Sequence, residues 1–233
     1  MSPMITSDEE APAVGFYGSV VGKKIVMAVT GFLLFGFILT HLIGNLLIYL
    51  PKDSNGKWPV DAYAAQLRAI PELLWSARII LLVAVILHII AAWQLSVLDK
   101  FRARKQGYIK WEPLSSSYAS RTMVWSGPII FFYVIYHLLD LTFGTFNPGF
   151  EFGQVHRNVV ASFTHPVVAG FYIIANICLA FHLYHGLWSM CQSVGLSHPR
   201  YTPVLKTASK VIAIVIGVGF CSIPLAVLSG LVR

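Results

Sequence analysis

The chain has 233 residues, of which 56% are hydrophobic and only 12% charged. A soluble domain carries about twice that share of charge, so a bilayer rather than water is the main solvent. The net charge of +7 is spread over short segments between apolar runs, a pattern of membrane-surface contact rather than nucleic-acid binding.

The first 22 residues contain Asp8, Glu9 and Glu10 and no apolar stretch. They read as a short cytoplasmic N-terminal segment without a cleaved signal peptide. Beyond them lie five apolar segments, each long enough for the roughly 20 residues a spanning helix requires. They run about Lys24 to Leu50, Leu73 to Leu98, Ala119 to Phe146, Val160 to Gln192 and Val204 to Val232. The expected fold is an all-α membrane protein, a five-helix transmembrane bundle over residues 23–233. Turn chemistry at 51–56, at Asn147-Pro148-Gly149 and at His198-Pro199-Arg200 ends the first, third and fourth spans.

Eleven of the 17 basic residues fall on one side of this arrangement, and the run from Lys100 to Lys110 is the densest. The positive-inside rule places that side, and the N-terminus, in the cytoplasm. The same run is a candidate docking surface for a soluble partner. Cys178, Cys191 and Cys221 are odd in number and form no C-x-x-C, which argues against a disulfide scaffold, an iron–sulfur cluster and covalently attached haem.

His41, His88, His137 and His182 fall one in each of the first four spans. An ionisable residue at membrane depth is a functional hypothesis by default. His41 and His137 lie nine residues from the outer ends of their spans, and His88 and His182 lie ten from the inner ends. At about 1.5 Å per residue these are two layers, each roughly 15 Å from its own face. Two neutral imidazoles facing each other are poor partners for one another and good axial ligands for an iron between them. The expected pairs are His41 with His137 in an outer layer and His88 with His182 in a cytoplasmic one. Small residues flank three of the four: Ala84, Ala91 and Ala92 beside His88, Cys178 and Gly186 beside His182, and Gly44 after His41. They suit a flat macrocycle or ordinary membrane helix packing. His185 competes with His182, and spacing alone leaves that choice open. His156, His165 and His198 read as non-ligands.

Three blocks carry a resemblance. The first is Gly18-Ser19-Val20-Val21-Gly22-Lys23-Lys24 with Met27-Ala28-Val29-Thr30-Gly31 and His41-Leu42-Ile43-Gly44-Asn45-Leu46. The second is Pro71-Glu72-Leu73-Leu74-Trp75 followed by His88. The third is Phe181-His182-Leu183-Tyr184-His185-Gly186-Leu187-Trp188-Ser189. Together they resemble the single-chain, dihaem membrane cytochrome b subunit of succinate:quinone oxidoreductases and fumarate reductases. The resemblance implies that the first histidine of the third block, His182, is the ligand, and it implies the same pairing. It also implies two b haems, a flavoprotein subunit and an iron–sulfur subunit on the cytoplasmic side, and a multi-pass place in the cytoplasmic (inner) membrane. Electrons would pass from the iron–sulfur subunit to a membrane quinone, expected to be menaquinone. The chain would be the quinone-reactive subunit of a succinate dehydrogenase and not itself catalytic for succinate.

Two other site readings come from the residues. Tyr63, Gln66, Arg68, Trp75 and Arg78 gather donors and aromatics around the start of the second span, as a quinone requires, or form an interfacial belt. Ser19, Lys24, Arg121 and Lys210 stand near the cytoplasmic face, to pair haem propionates or lipid headgroups. The rival functions are a dihaem cytochrome b of a hydrogenase or formate dehydrogenase, and a haem-free transporter with a histidine proton relay.

Overall fold

A computed structural model of the chain describes residues 15–98 and 118–233. The basic run Lys100 to Lys110 lies outside the described residues, and so does the side chain of Arg121. Among the described residues there is no strand. The described residues form seven α-helices: α1 Val20–Leu46, α2 Pro59–Arg68, α3 Pro71–Trp93, α4 Tyr118–Leu141, α5 Val155–Phe163, α6 Pro166–Ser193 and α7 Thr202–Leu228. Four of them (α1, α3, α6 and α7) are long and apolar enough to cross a membrane, and α4 is apolar over Trp125–Leu141. The chain is therefore a helical membrane bundle whose five long helices coincide with the five apolar segments.

The helix ends obey local chemistry. Ser19 caps α1: its Oγ accepts from the Gly22 amide at 2.9 Å and donates to the Phe16 carbonyl at 2.8 Å. Pro59, Pro71, Pro166 and Pro203 stand in the first turn of α2, α3, α6 and α7, where the missing N–H costs nothing. Two span limits differ from the sequence expectation. The third span stops at Leu141 rather than near Phe146, because Gly144 takes φ +72° and turns the chain back. The fourth begins at Pro166 rather than Val160. A residue preceding proline is pushed out of the helical region, and His165 accordingly sits at φ −86°, ψ 111°. That break frees residues 155–163 to form α5.

α6 is the central element, packed against α1, α4 and α7, while α3 leans mainly on α1. One apolar core joins Ile48 to Tyr172, Ala169, Ile223 and Val227 toward the outer end. A second joins Leu42 to Leu179, Leu183, Ala213 and Ile216 deeper in the bundle. Small residues let the backbones approach: a Cβ added at Gly217 would lie 2.8 Å from the Ala180 Cβ.

The two connections expected on the outer side clasp each other. α5 has no side-chain cap of its own. Asp61 of α2 supplies one, accepting the His156 amide at 2.9 Å. The His156 ring stacks on Trp58 at 3.7 Å and 1°, with Lys52 Nζ 5.1 Å from the centre of that indole, a cation–π contact. His156 is thus a buried packing residue rather than a loop side chain.

Candidate functional site

The four histidines meet in pairs. His41 of α1 faces His137 of α4 with ring centres 5.9 Å apart and planes at 89°. His88 of α3 faces His182 of α6 at 6.4 Å and 57°. Neither α1 with α4 nor α3 with α6 is among the closely packed helix pairs of the described residues, so each pair reaches across a gap between backbones. His185 has no ring contact with the other histidines among the described residues; it lies one turn from His182 on the same helix.

These separations can be compared with what an iron would impose. Metal–imidazole bonds run about 2.0–2.1 Å, and bonds near 1.33 Å put a ring nitrogen roughly 1.1 Å from its ring centre. Two imidazoles on opposite sides of one iron then have centres about 6.3 Å apart. Both pairs stand within half an ångström of that value. Among the described residues no group of three or more His, Cys, Asp or Glu forms. Two opposed imidazoles are what the axial positions of a macrocycle-bound iron require.

The second ring nitrogens differ between layers. The Thr30 hydroxyl donates to the Val26 carbonyl at 2.8 Å and lies 3.2 Å from His88 Nδ1. A hydroxyl donating to that carbonyl can accept from an Nδ1–H of His88, the tautomer that leaves Nε2 a bare lone pair, the form a metal ligand needs. Buried Ser126 stands 3.4 Å from Nδ1 of His182. The outer pair has an aromatic surround instead: Phe37 and Phe220 against His41, and Tyr133 and Tyr172 against His137. Nδ1 of His137 is buried with no hydrogen-bond partner among the described residues. Such an orphan is costly unless something else satisfies the ring.

The small residues divide. A Cβ at Gly31 would lie 3.4 Å from His88, and one at Gly186 would meet nothing within 4 Å. Gly44, in contrast, does not open space for a macrocycle. Its missing Cβ admits Tyr63, whose Cε1 would be 2.5 Å away. Tyr63 thus seats α2 against α1.

Of the other outer residues, Arg68 and Arg78 share a cavity of about 150 Å³ with Phe150, Phe152, Thr142 and Asn158. Arg68 lies 5.2 Å from the Phe152 ring, and Arg78 lies 5.1 Å from that of Trp75. Gln66 and Trp75 are exposed outside that lining. At the other end, Lys24 and Lys210 are exposed, and the Ser19 hydroxyl is engaged in capping α1. Thr30 and Ser126 join the site from the structure and not from the sequence reading. The available signal was a hydroxyl within an otherwise apolar span.

No curated protein and no solved structure matches the chain. A protein-family model does, the succinate dehydrogenase/fumarate reductase transmembrane subunit, over residues 102–220. The match spans α4, α5, α6 and most of α7, with His137 and His182 inside it. On this match, and on the helical membrane architecture that accompanies it, the chain belongs to the family of succinate dehydrogenase/fumarate reductase transmembrane subunits.

Proposed function

We propose that this membrane subunit holds two b-type haems and reduces a membrane quinone, menaquinone being the expected one. The observation that supports this reading is the pair of histidine contacts, 5.9 and 6.4 Å between ring centres, each joining two helices that do not pack closely together. His41 and His137 would be the axial ligands of the outer haem, and His88 and His182 those of the cytoplasmic one. Bound haem supplies one-electron carriage through a medium that ions and polar groups cross poorly.

The rest is done by the chain. Thr30 and Ser126 stand at Nδ1 of the inner rings and would leave Nε2 as the ligating atom. The aromatic residues around His41 and His137 exclude water. Lys24, Arg121 and Lys210 supply positive charge for propionates near the cytoplasmic face, with Ser19 fixing the start of α1. A flavoprotein subunit and an iron–sulfur subunit would dock on that face, with the protein in the cytoplasmic (inner) membrane and its N-terminus inside.

The quinone would sit at the outer end. Two guanidiniums in one cavity favour the partial negative charge on a quinone oxygen, and Phe150 and Phe152 offer flat walls. The cavity is smaller than the roughly 300–1,000 Å³ of a drug-sized pocket, which suits a ring with its tail left in lipid. Gln66 and Trp75 stand at the margin, and Tyr63 holds α2 in place.

The test is haem content. Purified protein should give two haems per chain in a pyridine haemochrome assay. None, or one, would refute the two-haem reading.

A further inference from the structure

Asp140 has no part in the mechanism above, yet it is among the most deeply buried side chains of the described residues, 1% exposed. Its Oδ2 accepts two hydrogen bonds, from the Ser162 hydroxyl at 2.7 Å and the Tyr172 hydroxyl at 2.8 Å. Among the described residues it has no Lys or Arg partner; the ion pair they form is Arg157 with Glu151. Hydroxyl donors converging on one oxygen are the partners of an acceptor-only carboxylate. A buried, unpaired anion is expensive, and an asparagine would serve as well if the position only stapled α4 to α5 and α6.

Its placement relative to the outer pair gives the charge a use. Asp140 lies one turn beyond His137 on α4. The Tyr172 ring that donates to it touches the His137 ring at 5.9 Å, and Tyr133 touches both. The inner pair has neutral hydroxyls as its neighbours instead, Thr30 and Ser126. Beyond the first turn of α3, which holds Glu72, Asp140 is the carboxylate the five long helices contain among the described residues.

We propose that Asp140 is an electrostatic tuning residue that holds the outer haem at a lower reduction potential than the cytoplasmic one. This rests on the two-haem reading. Reduction adds one electron to the outer centre, no bond forms or breaks, and a fixed anion nearby disfavours that added charge. For a carboxylate roughly 10–14 Å from an iron, an effective dielectric near 20 shifts the reduction equilibrium on the order of tenfold. Tenfold corresponds to about 59 mV for one electron.

The experiment is a spectroelectrochemical titration of the full-length protein with both haems bound. His41→Ala, lacking the outer haem, identifies which step is which. Asp140→Asn removes the charge and keeps an acceptor. It should raise the outer midpoint by about that tenfold shift and leave the inner midpoint in place. Asp140→Glu keeps the charge and should restore a low outer midpoint. Unchanged potentials in Asp140→Asn with both haems retained would overturn the proposal, as would equal shifts of both. Should the asparagine variant fail to assemble, the wild type decides: an outer haem that titrates at or above the inner one overturns it. A wild type without two haems would instead sink the underlying two-haem reading.

Discussion

Replacing Thr30 by valine tests the inner site at its most specific contact. Valine matches threonine in shape, so the buried packing of α1 survives. The acceptor for His88 Nδ1, 3.2 Å away, is lost. The Met27 carbonyl stays within reach of the ring, so the loss is bounded by the about 1–3 kcal/mol of a buried donor left wholly unsatisfied. Outer partners of metal-bound imidazoles are typically worth about 10–100-fold in affinity, a compatible range. The inner haem should therefore be retained about 10–100-fold less tightly, and the outer haem should be unaffected. The assay is haem per chain after graded imidazole challenge, with each haem followed by its own absorption band. Ser126→Ala should have the same sign and a smaller size, because its 3.4 Å contact is at the limit of a hydrogen bond. Retention of both haems by Thr30→Val as in the wild type, or loss of the outer one, would refute the reasoning.

The remaining predictions concern other parts of the site. His88→Ala or His182→Ala should remove the inner haem and His41→Ala or His137→Ala the outer one, while His185→Ala keeps both; haem spectra of the five variants decide. Arg78→Ala or Gln66→Ala should slow quinone reduction while both haems stay bound and reducible by succinate. Normal turnover in both, with turnover lost on substituting Lys24 or Arg121, would move the quinone to the cytoplasmic side. In the outer clasp, burial lowers the pKa of His156; Asp61 opposes this and Lys52 reinforces it. The unfolded chain then binds the proton more readily, so the clasp is fully stable above about pH 6.5 and loosens as pH falls below that value. Limited proteolysis of the outer loops across pH should show this, and His156→Phe should abolish the dependence.

The spans could be read from the sequence because a run of apolar residues survives any rotation of the helix. The expected histidine pairs do meet as rings, although α4 ends four residues past His137 rather than nine, so the depth estimate for that residue was too large. α2 and α5 did not show, because they are short and partly polar, and their stability comes from Tyr63 against Gly44 and Asp61 on the His156 amide. Such contacts between distant segments leave no periodic trace. Pro166 did announce the break before α6, but the apolar run through Val160 masked it. Thr30 was invisible as a histidine partner for a different reason. A threonine in an apolar helix ordinarily bonds back to its own preceding turn. Thr30 does that too, and its contact with His88 is a second use of the same oxygen.

The thin attachment of α3 bears on how the protein is put together as it leaves the ribosome. α1 and α3 are made first and lie side by side, but α6, which carries the facing histidine and organises the bundle, arrives more than 70 residues later. Until then α3 has a neighbour on one flank and lipid on the other. A cofactor bridging His88 and His182 would clamp α3 to the finished bundle, so cofactor supply would govern assembly as well as activity. In cells starved of haem synthesis, α3 should be the first element that membrane quality-control proteases reach.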